Sequence, residues 1–149
     1  MAVVEYEFKL DWVRIDNVSE DSADSVGELF GRIRIDGAYL WPPTWTNVLG
    51  GTETSDQNIS VNDFLYLNRI PQTSYRVFDE QSPGQASGFD LLIQISEKDD
   101  WNPNDVIADV HETVRPNPAD FKEAKAVSFE KTAAKDGKIT YHYTLTRNP

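Results

Sequence analysis

Carboxylates are the side chains in this sequence whose types and spacing could do chemistry. Asp16, Glu20, Asp21, Asp24 and Glu28 fall within thirteen residues that hold no Lys or Arg. Glu97, Asp99, Asp100, Asp105 and Asp109 fall within another thirteen, opposed by Lys98 alone. Acids this dense repel one another unless solvent or a cation intervenes. Calcium suits such a cluster, because it takes about six to eight oxygen ligands and tolerates irregular loop geometry. The plain alternative for Glu97, Asp99 and Asp105 is a solvated acidic turn. Asp24 and Glu28 have a second alternative as caps of a local turn, and Asp16 or Asp21 could take the ligand role instead.

The elements that must position these acids are strands. Val4, Tyr6, Phe8, Leu10 and Trp12 alternate with Glu5, Glu7, Lys9 and Asp11, and Val13 and Ile15 then continue in the opposite phase. A half-buried strand with a bulge near Trp12 accounts for that change. Leu29–Ile35 alternates again, and Phe64–Leu67 and Tyr75–Phe78 are short candidates. Phe89–Ile95 is the most apolar run and reads as a strand in the middle of a sheet. Val106–Val114, Ala126–Phe129 and Ile139–Leu145 follow. Turn signals separate these runs at Asp36-Gly37, Gly50-Gly51, Pro83-Gly84, Asn102-Pro103 and Asp136-Gly137. Only Pro118–Ala126 suits a turn or two of helix, with Asn117 as cap and Pro118 at its first position. About eight short strands with turns between them predict an all-β fold, a single antiparallel β-sandwich over residues 1–149. Both acidic windows then include the loop between two strands.

The second window carries a more specific pattern. The strand Leu91–Ile95 runs into Ser96-Glu97-Lys98-Asp99-Asp100-Trp101-Asn102-Pro103-Asn104-Asp105-Val106-Ile107-Ala108. This resembles the third calcium-binding loop of C2 domains: a strand, Asp-x-Asp, a loop with a hydrophobic tip, then a third Asp before an apolar residue, Ile and Gly. Glu97 stands where the family has its first Asp, and Ala108 where it has Gly. The first window resembles the family's earlier loop in offering Asp24, Gly27 and Glu28 before an aromatic residue, but the family's Ser-Asp-Pro-Tyr is missing. The resemblance implies a C2-like sandwich that binds one or two Ca2+ ions through Asp24, Glu28, Glu97, Asp99 and Asp105. It also implies contact with an anionic membrane surface or a protein partner. Trp101 falls where many lipid-binding members carry a residue that dips into the bilayer.

Other residues support rival readings. Tyr39, Trp41 and Trp45 lie in a proline-stiffened segment, the kind of loop that gives carbohydrate-binding modules a stacking platform; the alternative is a loop folded back over one end of the sandwich. His111 and His142 lie in alternating strands and read as ordinary surface or half-buried residues, with no thiolate available to complete a zinc site. A structural subunit of a larger assembly would need no site at all. No Gly-x-Ser-x-Gly elbow, phosphate-cradling Gly-rich loop or His-Glu-x-x-His is present. Paired carboxylates can hydrolyse glycosides, but those sit across a cleft rather than in sequence along loops. The expectation is a protein without catalytic activity.

Composition sets the outer bounds. The chain has 149 residues, one domain of ordinary size, and 39% of them are hydrophobic, enough for one core. Fourteen Lys and Arg against 25 Asp and Glu leave a net charge of −11. Such a surface repels phosphate backbones, which argues against nucleic acid as a partner. With no cysteine there is no disulfide, thiolate nucleophile or Cys-based metal site. No run approaches the length of a membrane span, and the N-terminus has no basic region followed by an apolar one. The expected location is cytoplasmic, or outside the cell by a non-classical route, unless a signal has been removed.

Overall fold

The alternating runs pair into two antiparallel sheets. The computed structural model describes residues 3–17, 26–41, 57–60, 64–66, 74–79, 88–97 and 105–148. Ten strands lie among them: β1 (Val3–Asn17), β2 (Val26–Ile35), β3 (Ala38–Trp41), β4 (Gln57–Ser60), β5 (Phe64–Tyr66), β6 (Ser74–Asp79), β7 (Phe89–Glu97), β8 (Asp105–Val114), β9 (Ala126–Ala134) and β10 (Lys138–Arg147). In the first sheet β1 pairs with β10 and β10 with β9, while β6 and β5 lie against the early and late halves of β1 on its other side. In the second, β2 pairs with β7 and β7 with β8, while β4 and β3 share the outer side of β2. Two short strands thus fill one column in each sheet, so ten strands make eight columns. This is the expected all-β sandwich.

The inward faces meet in one core. Tyr6, Phe8, Leu10, Val13 and Ile15 of β1 and Ile139, Tyr141, Tyr143 and Leu145 of β10 are buried on one side. Phe89, Leu91, Ile93 and Ile95 of β7 are buried on the other. The Phe8 and Phe89 rings stack across the sheets at 5.4 Å. β7 runs between β2 and β8, the central place its apolar run predicts. Asp36 and Gly37 both adopt positive φ (51° and 84°), the pair of conformations that a tight primed hairpin turn requires, and they close β2 onto β3.

The structure corrects the local reading in three places. The bulge in β1 is present, with Leu10 opposite Tyr143, Trp12 opposite His142, and Asp11 as the extra residue. It turns Trp12 out of the inward set: its ring stacks on His142 on the outer face, with centroids 5.2 Å apart. β9 extends to Ala134, well past Phe129. Its inward positions include Lys131 and Ala133, and as an edge strand it is only half covered, so its apolar signal fades early. Finally, Ala38–Trp41 is a strand and not part of a loop, which places Tyr39 and Trp41 on the edge of the second sheet. The short helical element is as expected, a 3₁₀ turn over Pro118–Phe121 with the Asn117 side chain accepting from the Ala119 N–H at 3.1 Å.

Candidate functional site

One end of the sandwich collects the strand termini that carry the acids. β7 and β8 are joined across a bulge after Ile95, where Ile95 pairs with Ala108 and Ser96 with Val106, leaving Ile107 as the extra residue. Beyond it Glu97 is paired directly with Asp105. On the other side of β7, Leu29 is the partner of Glu97. Glu28 therefore stands one position nearer the strand end than the row Leu29, Glu97 and Asp105. These three strands bring Glu28, Glu97 and Asp105 to one end of one sheet from positions nearly seventy residues apart in the chain. Asp24, Asp99, Trp101 and Trp45 lie outside the described residues.

The neighbouring turn braces this end. The Asp136 N–H donates to the Val106 carbonyl at 2.9 Å, and the Asp136 carboxylate accepts from the Val106 N–H at 3.0 Å. Gly137 permits this approach, since a Cβ there would lie 2.4 Å from the Asn17 carbonyl oxygen and 2.9 Å from Ile107 Cδ1. The β9–β10 turn thus holds the start of β8 and the end of β1 together. Ile107, completely buried beside it, anchors the strand as it leaves the acidic loop. Asp136 is a further carboxylate at this end that its own sequence neighbourhood did not mark; the Asp-Gly turn signal was visible, but its docking site was not.

Other acids of the two windows are committed elsewhere. Asp16 accepts from Arg14 Nε at 2.7 Å and from the Thr140 hydroxyl at 2.5 Å, on the outer face of the first sheet. The hydrogen bond to Asp16 holds the Arg14 guanidinium above its ordinary pKa. Asp109 accepts from Gln94 Nε2 at 3.2 Å, and Gln94 Oε1 in turn accepts from Arg32 Nε at 2.7 Å. Each histidine has its own carboxylate: His111 lies 2.8 Å from Asp90 and His142 2.8 Å from Asp11, on different sheets. Among the described residues no three His, Asp or Glu side chains gather as a metal site.

Between the sheets, on the β8 and β9 side, sits a polar lock. The Tyr141 hydroxyl donates to Glu112 Oε2 at 2.9 Å, and Lys131 Nζ donates to Glu112 Oε1 while lying 5.5 Å from the centre of the Tyr143 ring. Burial and then the bond to Glu112 push the Tyr141 phenol above the usual tyrosine range. Burial also raises Tyr143, against the opposing effect of Lys131. For Lys131 burial alone would lower the ammonium, but its bonds to Glu112 and Tyr143 outweigh it and the pKa rises. The lock ties β8, which leads out of the acidic loop, to the opposite sheet.

No family model and no curated protein matches the chain. Among solved structures, one described as a C2 domain aligns over 98% of this chain and 99% of its own length, at 12% identity and a TM-score of 0.44. Two structures of human GIVD cytosolic phospholipase A2 also align. One is a complex with methyl gamma-linolenyl fluorophosphonate inhibitor and terbium chloride, covering 98% of this chain at 7% identity. The other is a complex with the fluorophosphonate, covering 99% at 8% identity. Both have a TM-score of 0.39, and this chain spans 17% of the phospholipase chain in each. Among the described residues, no helix is long and apolar enough to cross a membrane.

Proposed function

We propose that this protein is a calcium-dependent, non-catalytic C2-like module that binds an anionic membrane surface or a protein partner through its acidic end. The observation that carries the reading is the register of β7 and β8. Glu97 and Asp105 are direct partners across the pair, and like charges at directly opposed positions destabilise a sheet. The loop they enclose adds Asp99 and Asp100 with Lys98 as its only base. A divalent cation shared by Glu97, Asp99 and Asp105, with Glu28 and Asp24 from the neighbouring strand and its approach, would convert that repulsion into ligation. Neutralising this end would also remove the penalty for approaching anionic headgroups, and Trp101 would add apolar burial at the interface. The carbohydrate reading has less support. Tyr39 and Trp41 pair with Arg34 and Ile33, which lie on opposite faces of the second sheet.

Calorimetry tests the ion directly. Calcium should bind the wild-type chain, and Asp99→Asn with Asp105→Asn should remove most of the affinity while leaving the thermal melt in chelator unchanged. A dissociation constant above about 10 mM, weaker than even extracellular calcium modules, would overturn the reading. With calcium and anionic vesicles together, tryptophan fluorescence should shift to the blue, and Trp101→Ala should abolish the shift without changing calcium affinity in solution. A shift that survives in Trp101→Ala would refute the membrane contact alone.

A further inference from the structure

One side of the sandwich is bounded by two long edge strands. Among the described residues β9 has β10 as its one strand neighbour and β8 has β7, and the Lys131–Glu112 pair joins these two edges across the gap between the sheets. An edge strand presents a row of unpaired N–H and C=O groups, a template for pairing with another chain. The inward row of β9 is Val127, Phe129, Lys131 and Ala133. That of β8 is Ala108, Val110, Glu112 and Val114, set opposite the buried residues of β7. Each edge therefore carries one charged residue among three apolar ones. The Lys131 and Glu112 side chains are 41% and 23% exposed, so both charges still reach water through the open side of the seam. The two ends of β8 are closed as well. The Val106 N–H and C=O, turned away from β7, are taken by the Asp136 carboxylate and N–H. Pro116, two residues past the end of the strand, has no N–H to offer.

An ion pair set into a core is a weak source of stability, because apolar residues of similar volume often do as well or better. Its place on the two edges gives another reason for it. A strand added along β9 would extend the sheet over the opening through which Lys131 and Glu112 reach water. Both charges would lose solvent and gain no new partner, and that penalty would fall on the added strand. A second copy adding its own β9 would also bring a second Lys131 to the same seam, and like charges on facing strands repel. We propose that Lys131, paired with Glu112, is an edge guard that keeps the β8 and β9 edges from pairing with a second copy of this chain. An inward-pointing charge blunts an edge in this way without shortening the strand. The guard does not depend on the calcium reading, since it lies along the sheet edges and uses none of the proposed ligands.

The test is run in chelator, so that the calcium site cannot affect it. Sedimentation velocity over a concentration series up to millimolar reads self-association, and amide hydrogen exchange locates it. The wild-type chain should stay monomeric, with the outward amides of β9 exchanging rapidly. Lys131→Met keeps the Tyr141 bond to Glu112. It should self-associate at concentrations at least about tenfold below any at which the wild type does, and the β9 amides should become protected. Lys131→Gln, which removes the charge but keeps a donor for Glu112, should act likewise. Lys131→Arg retains the charge and should stay monomeric. Thr132→Met puts the apolar side chain on the exposed outward face of the same strand, and it should also stay monomeric. Association of Thr132→Met as strong as that of Lys131→Met would assign the effect to added apolar surface and overturn the guard. Monomeric Lys131→Met and Lys131→Gln, or a wild-type chain that itself pairs through β9, would do the same. Slow exchange of the outward β9 amides in the wild-type monomer would overturn it without any variant, since the edge would then already be covered.

Discussion

Raising the pH should loosen the lock between the sheets, because two buried phenols must ionise and the Tyr141 phenol sets a lower bound on the loss. Tyr141 and Tyr143 are 4% and 3% exposed, and both have pKa values raised above the ordinary value of 10.0 by burial. A raised pKa in the folded state means that the unfolded chain releases these protons first. The associated stability is therefore fully present below about pH 10 and is lost as pH rises from there through the folded values. With an unfolded value near 10, Tyr141 gives up about 1.4 kcal/mol by pH 11, out of a stability of order 5–15 kcal/mol, and Tyr143 adds to the loss in the same direction. Lys131 acts in the same direction, because its pKa is also raised. Urea unfolding at pH 8.5 and pH 11 measures the effect, and with a slope of about 2 kcal/mol per molar the midpoint should fall by at least about 0.7 M. Tyr141→Phe with Tyr143→Phe removes both titrating groups. The variant starts less stable at pH 8.5, having lost the Tyr141 bond to Glu112, but should lose much less on going to pH 11. Equal losses in the variant and the wild type would refute the reasoning, since the alkaline sensitivity would then lie elsewhere.

Two further predictions follow from the backbone and from the acids already paired. Gly31 has φ +138° and a Cβ there would sit 2.0 Å from the Gln94 carbonyl oxygen, whereas Gly37 has φ +84° with nothing within 4 Å. Gly31→Ala should therefore cost about 4 kcal/mol or prevent folding, and Gly37→Ala about 1 kcal/mol; similar thermal melts for the two variants would contradict this. Asp16→Ala should leave calcium affinity in calorimetry unchanged, because Asp16 is held by Arg14 and Thr140. It should cost about 1 kcal/mol as the buried Thr140 hydroxyl loses its acceptor, and a large fall in calcium affinity would return Asp16 to the ligand set.

What the sequence determined by itself was local. Period-two alternation marked β1, β2 and β10 and an unbroken apolar run marked β7, since a strand's faces are set by adjacent positions along one chain. The Asp36-Gly37 hairpin and the Asn117-Pro118 cap were equally legible, because each is specified within a few residues. The acidic windows were visible as composition, but composition does not say which acid faces which. Only the tertiary structure decided that Asp16 is spent on Arg14 and Thr140, more than a hundred residues away for the latter, while Glu97 and Asp105 become partners through β-sheet register. The short strands β3 and β4 escaped notice because an edge strand is stabilised by the neighbour it pairs with more than by its own apolar pattern. Trp12 changed faces because one bulged residue reverses the alternation beyond it.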